Sequence, residues 1–209
     1  MTWSDPDRAF MAQAIDLATG RMGETWPNPA VGCVLVKDGH VVGQAATAPG
    51  GRPHAEEQAV PAAGDQARGA TAYVTLEPCG ARSSGRKSCA HFLADAGVSR
   101  VVIACLDPSP FAAGRGTERL RAAGLTVETG LMCDEGAALC EGFLHRLETG
   151  RPMVRVSKDG AGFDGRFAAS SKADLVTELK RLGEAGYTRL WTAPGELADA
   201  LRDQGLLTE

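Results

Sequence analysis

Two rhythms of apolar residues alternate along the chain. In "DPDRAFMAQAIDLAT" (5–19) they recur at helical spacing, with Asp5 or Asp7 near the expected cap. "TWPNPAVG" interrupts with turn residues. "AVGCVLVKDGHVVGQAA" then sets two β-rich runs around Lys37-Asp38-Gly39, and Asp-Gly between such runs predicts a hairpin. "HAEEQAVPAA" reads as a short helix from His54, "ATAYVTLEPC" as a buried strand ending at Cys79, and "SCAHFLADAGV" as a helix stopped by Gly97. The apolar strand "SRVVIACLDPSP" ends in a breaker, and the helix "GTERLRAAGL" and strand "TVETG" follow. "CDEGAALCEGFLHRLETG" is a longer helix closing at Gly150. Strands alternating with helices after an opening hairpin predict an α/β layered domain over residues 1–150, its sheet largely parallel beyond the hairpin.

Residues 151–209 repeat the alternation on a smaller scale. "PMVRVSKDG" begins like a strand, "AGFDGRFAASS" is a Gly-rich turn region, and "KADLVTELKRLGEAG", "TRLWTA" and "GELADALRDQG" read as helix, strand and helix. A segment this short is marginal as an independent domain, so it is expected to be an appendage.

Composition narrows the class without naming a function. The 209 residues are 44% hydrophobic and 23% charged, ordinary for a soluble globular chain. A net charge of −4 gives no general attraction to nucleic acid. No apolar run approaches the roughly 20 residues of a membrane span, and the N-terminus lacks the basic start and apolar core of a signal peptide. A cytoplasmic protein without a membrane or nucleic-acid partner is expected. The six cysteines do not suggest a disulfide framework. Cys33 and Cys105 sit in apolar strands and read as buried thiols, and Cys133 and Cys140 read as inert.

Cys79 and Cys89 differ, because His54 and Glu56 precede them in "HAEEQAV". A catalytic zinc takes three protein ligands and leaves one position for water. His54, Cys79 and Cys89 supply an imidazole and two thiolates, and zinc lowers the pKa of its water to about 7. Glu56, two residues after His54 on the same predicted helix, can carry protons beside the metal without being a ligand. All three ligands fall at strand or helix ends, and helix N-termini stabilise thiolates. The order H-x-E, then P-C and a second cysteine, is that of zinc nucleobase deaminases. Taken singly, a His-Ala-Glu at a helix start can be a capped surface helix. Two cysteines with nine residues between them are further apart than the usual zinc pair. A purely structural zinc site is the rival reading, and it leaves Glu56 without a purpose.

With these residues in place, the chain resembles the deaminase half of the bifunctional riboflavin-biosynthesis deaminase–reductase family. The likeness runs through "PNPAVGCVLVKDGHVVG" (27–43), "PHAE" (53–56), "GATAYVTLEPC" (69–79), "DPSPFAAGRG" (107–116), "LRAAGLTVETGLM" (120–132) and "GFLHRLETGRP" (142–152). The resemblance implies a three-layer, cytidine-deaminase-like α/β fold, a mixed sheet with helices on both faces. It implies one zinc ion per chain and hydrolytic removal of an amino group from a pyrimidine bearing a ribosylamino 5′-phosphate. It also implies a homodimer or homotetramer. "VSKDGAGFDGRFA" (156–168) and "RLWTAPGELADALRDQGLLTE" (189–209) resemble the opening and the far end of that family's reductase domain, with the stretch between them absent. Residues 151–209 thus read as a reductase remnant without an NADPH site, and a separate reductase would act next.

Asn28, in "PNPAVG", is placed to hydrogen-bond a pyrimidine edge. Arg86 and Lys87, between the zinc cysteines, are candidates for the substrate phosphate, and Arg82 and Arg52 could add charge. The departures from the family lie nearby. Thr47 and Ala48 stand where histidines are expected, Gln58 replaces another, Ser109 replaces an asparagine, and the loop "GARSSGRKS" is one residue longer than usual and lacks prolines. They leave open a zinc deaminase acting on a different amino-pyrimidine or amino-purine. A non-catalytic zinc-bearing accessory subunit is the alternative of another class.

Overall fold

Alternate residues of β1 (Gly32–Lys37) point to opposite faces, and nearly all of them are buried. Cys33 and Leu35 enter one core, Val34 and Val36 another. The same split divides Ala72 and Val74 from Tyr73 in β3 (Thr71–Leu76), and Val101 and Ile103 from Val102 in β4 (Arg100–Cys105). A sheet covered on both faces explains why these strands read as continuous apolar runs rather than as alternation. The computed structural model describes residues 3–82, 85–108, 114–169 and 174–208.

The five-stranded sheet has the order β2-β1-β3-β4-β5, with β2 at His40–Ala46 and β5 at Thr126–Thr129. β1 pairs antiparallel with β2 and β3, whereas β3, β4 and β5 run parallel. The hairpin turns at Asp38 and Gly39, whose φ values of 51° and 78° are both in the left-handed region that this turn requires. Helices α1 (Asp5–Thr19) and α5 (Cys133–Thr149) cover one face, and α2 (Ala55–Ala63), α3 (Cys89–Asp95) and α4 (Arg115–Ala122) the other. This is the three-layer mixed α/β architecture expected. A Cβ on Gly32 would overlap the Ala14 carbonyl, so glycine there lets α1 lie directly on β1.

One boundary differs from expectation. The cap of α1 is Ser4, whose hydroxyl accepts from the Asp7 amide at 3.2 Å, while Asp7 accepts from the Ser4 amide in return. Asp7 also accepts from the Tyr73 hydroxyl at 2.8 Å and from Arg100 at 2.7 Å, tying α1 to β3 and β4. Burial opposes its charge, but the hydrogen bonds from Arg100, Ser4 and Tyr73 prevail and hold the carboxyl well below the usual range.

The C-terminal segment forms a second, parallel sheet, β6-β8-β7, with β6 at Met153–Val156, β7 at Gly165–Arg166 and β8 at Arg189–Thr192. With α6 (Leu175–Glu184) and α7 (Glu196–Asp203) it encloses a small core of Val154, Phe167, Leu175, Leu179, Leu190, Leu201 and Leu206. β7 falls in the stretch expected to be only a turn region. Two residues are too few to carry an alternating pattern.

Candidate active site

The site grows from two helix N-termini that meet at the end of β3. His54 is the N-cap of α2, and its amide donates to Glu57 Oε2 at 2.8 Å. Cys89 is the first residue of α3, and its amide donates to Cys79 Sγ at 3.2 Å. His54 Nδ1 lies 3.3 Å from Cys89 Sγ. The three ligand atoms all fall within 4.8 Å of one another, and among the described residues this is the cluster suited to a metal ion. Ligands at zinc distances of 2.1–2.3 Å stand about 3.5–3.8 Å apart in a tetrahedron, so the set fits one zinc after a small adjustment. Cys79 is held as a thiolate, first by the hydrogen bond from Cys89 and against burial, with His54 and Arg82 helping. Cys89 is correspondingly pushed up, by Cys79 and by burial.

Glu56 is 2% exposed and lies on the wall of a cavity of about 770 Å³ that also exposes His54, Cys79 and Cys89. Burial raises its pKa, and the neighbouring Cys79 charge adds to the effect. Beneath it Cys33 is kept as a thiol by burial and by the Glu56 charge. Asn28 and Thr47 line the same cavity, with Phe143, Leu144 and Leu147 of α5 opposite. The Asn28 side-chain amide donates to the Gly51 carbonyl at 3.1 Å, which leaves its oxygen as the acceptor still to be used. Cys140, expected to be inert, also lines the cavity.

The cations divide differently from the sequence expectation. Arg82 turns inward, donating to Glu57 Oε1 at 2.8 Å and lying 3.6 Å from Cys89 Sγ. Its pull first, against burial, brings the Glu57 carboxyl down to about 2. Lys87 is paired with Asp95 on the outside of α3. Arg86 and Arg52 are exposed, and none of these three lines the cavity. Two departures from the family have a structural use here. Thr47 Oγ1 accepts from the Val31 amide at 3.1 Å, and Gln58 Nε2 donates to the carbonyls of Ala46 at 2.7 Å and Pro53 at 3.1 Å. Ser109, with Ser83 and Ser84 of the cysteine loop, lies outside the described residues.

Glu77 was not anticipated. It is 4% exposed, and its carboxylate accepts from the amides of Thr117 at 2.8 Å and Gly114 at 3.0 Å. It therefore caps the N-terminus of α4 from two residues before Cys79. A Cβ on Gly116 would overlap the Pro78 carbonyl, so α4 is docked directly on the zinc turn. The signal was available, since an acid that ends an apolar strand is seldom buried without a partner.

Comparison with known proteins agrees with this geometry. Residues 4–105 match the cytidine and deoxycytidylate deaminase zinc-binding region. The chain is 48% identical over 172 residues to riboflavin biosynthesis protein RibD of Escherichia coli, covering 82% of this chain and 46% of that one. It is 44% identical over 149 residues to the chloroplastic riboflavin biosynthesis protein PYRD of Arabidopsis thaliana, covering 71% and 34%. It thus spans half or less of the length of these curated relatives. Among solved structures, RibD of Acinetobacter baumannii superposes with a TM-score of 0.76 at 29% identity, covering 97% of this chain and 84% of that one. A deaminase/reductase of Thermotoga maritima shares the fold, with a TM-score of 0.77 at 23% identity over 95% of this chain and 84% of that one. Among the described residues, no helix is long and apolar enough to cross a membrane. The zinc-binding region, the fold and more than 40% identity over most of the chain place it in the RibD family of riboflavin-biosynthesis proteins, on that family's deaminase side.

Proposed function

We propose that the chain is a zinc-dependent hydrolase that removes the amino group of 2,5-diamino-6-ribosylamino-pyrimidinone 5′-phosphate and releases ammonia. The observation that carries this reading is Glu56, a carboxylate buried on the wall of the cavity that exposes His54, Cys79 and Cys89. A non-catalytic zinc subunit has no use for it, because burying a carboxylate costs stability.

His54, Cys79 and Cys89 would hold one zinc per chain. Bound there, zinc supplies a Lewis acid that makes water nucleophilic at neutral pH. As water adds to the amino-bearing ring carbon, Glu56 takes a proton from it and passes that proton to the adjacent ring nitrogen. It then takes the remaining proton from the hydroxyl now on the ring carbon and delivers it to the departing amino group. One water is consumed, a C–N bond gives way to a carbonyl, and ammonia leaves. The Asn28 oxygen accepts from the pyrimidine edge, and the apolar α5 wall excludes water from the ring. The ribosyl phosphate extends outward, towards the loop that carries Arg86. Residues 151–209 are a reductase remnant, a reading supported by a superposition on Acinetobacter RibD that reaches beyond the first 150 residues. The following reduction belongs to another protein, and the chain works as a homo-oligomer in the cytoplasm.

Ammonia release from this substrate by zinc-loaded protein, with Glu56→Ala as control, tests the reading. Release that depends on Glu56 is expected. No release from protein holding stoichiometric zinc would refute this substrate and direct attention to other amino-heterocycles.

A further inference from the structure

Asn28, Pro29 and Phe143 have the cavity on one side and a narrow seam on the other, and the far side of that seam is Thr188 and Arg189 of the C-terminal segment. The cavity's substrate-facing wall is thus backed by residues outside the deaminase half. Arg189 makes the most specific contact. Its Nη1 donates to the Ala138 carbonyl of α5 at 2.7 Å and lies 3.7 Å from Met22 Sδ, in the loop leading to Asn28. Its stem lies over Gly142, where a Cβ would overlap it. Asp164 fixes the base of Arg189, accepting from its amide at 2.8 Å and from the Thr188 amide at 2.6 Å. The Asp164 side chain also abuts Gly23, where a Cβ would come within 2.9 Å of it. Arg155 pairs with Glu141 of α5. From α5, Arg146 stacks over Trp26 with 3.0 Å to the ring centroid, and Trp26 stands 6.1 Å from Phe143. Loop 22–29 and α5 are therefore held together, and both are held from behind.

We propose that residues 151–169 and 174–208 serve as a brace that sets the substrate wall of the cavity, with Arg189 as the positioning residue for Asn28 and Phe143. The inference rests on the deaminase reading and deepens it, giving the C-terminal segment a use in deamination. A misplacement of the wall by a fraction of an ångström weakens substrate contacts without touching the metal or Glu56.

The test uses the full-length, zinc-loaded chain with Arg189→Ala. Zinc content and kcat are expected to stay within about threefold of the unaltered chain, while KM rises about tenfold. Amide hydrogen exchange is expected to quicken in residues 22–31 and 136–147 and to stay unchanged in β3. A folded variant with unaltered KM and unaltered exchange in both regions overturns the brace. Should Arg189→Ala not fold, Leu201→Ala, which loosens the segment's own core, decides the matter. Faster exchange at 22–31 supports the brace, and a loosened segment with no change there overturns it. If the unaltered chain turns over no substrate, the deaminase reading fails on its own, and the exchange measurement still decides the brace.

Discussion

Glu56 and Glu77 are both buried carboxylates beside the zinc ligands, and their surroundings give them opposite work. Glu77 has its oxygens filled by backbone amides of α4. Glu56 faces the cavity, where burial raises its affinity for a proton. Replacing Glu56 by Gln should keep zinc, measured by metal analysis, and lower kcat by about 10²–10⁴, the usual contribution of a positioned proton carrier. A kcat near that of the unaltered chain would remove Glu56 from the mechanism. Glu77→Ala should instead destabilise. It leaves the Gly114 and Thr117 amides without their partner at a buried helix end, a loss of about 1–3 kcal/mol in urea unfolding. That His54, Cys79, Cys89 and Glu56 would gather at one place was legible in the sequence, because metal chemistry restricts residue type and order. The inward turn of Arg82 was not legible, because nothing in a loop sequence tells an inward guanidinium from an outward one. Only the fold shows that Glu57 and Cys89 are within its reach.

At the scale of elements, α1 was legible from its helical period, the hairpin from its Asp-Gly turn, and β3 and β4 from unbroken apolar runs bounded by turn residues. What escaped was too short for a period, such as β7, or depended on contacts distant in sequence. Asp7 illustrates the second case. Read locally it is a cap candidate, yet it joins Ser4, Tyr73 and Arg100, and Arg100 continues to Glu128 in β5. One carboxylate thus links α1 to three strands. Because its folded-state pKa is depressed, its contribution is complete above the unfolded value of about 3.9 and is lost as pH falls below it. Urea midpoints measured from pH 7 down to pH 3 should fall more steeply for the unaltered chain than for Asp7→Asn. Equal slopes would mean that the network adds nothing to acid stability. Tyr73, pushed up to about 12 by burial and by Asp7, stays a hydrogen-bond donor across that range.

At the scale of the whole molecule, the core around the main sheet and the small C-terminal core share one set of supports. Among the described residues the C-terminal core has seven buried hydrophobics and is marginal alone, and Arg155 and Arg189 tie it to α5 while Arg189 also reaches Met22. The zinc cluster joins α2, the end of β3 and α3 across the opposite end of the cavity. If these supports act together, stability lost at the metal is felt in the C-terminal segment. A ligand at a thousandfold excess over its Kd adds about 4 kcal/mol, and a chain of this size loses roughly 2–4 °C of Tm per kcal/mol. Removing zinc with a chelator should therefore lower Tm by roughly 8–16 °C in a single transition. Hydrogen exchange in β8 should accelerate along with that in α2 and α3, although β8 holds no ligand. Unchanged protection in β8 after zinc removal would show that the two cores unfold separately. The segment's contacts to α5 would then be too weak to couple it to the rest of the chain.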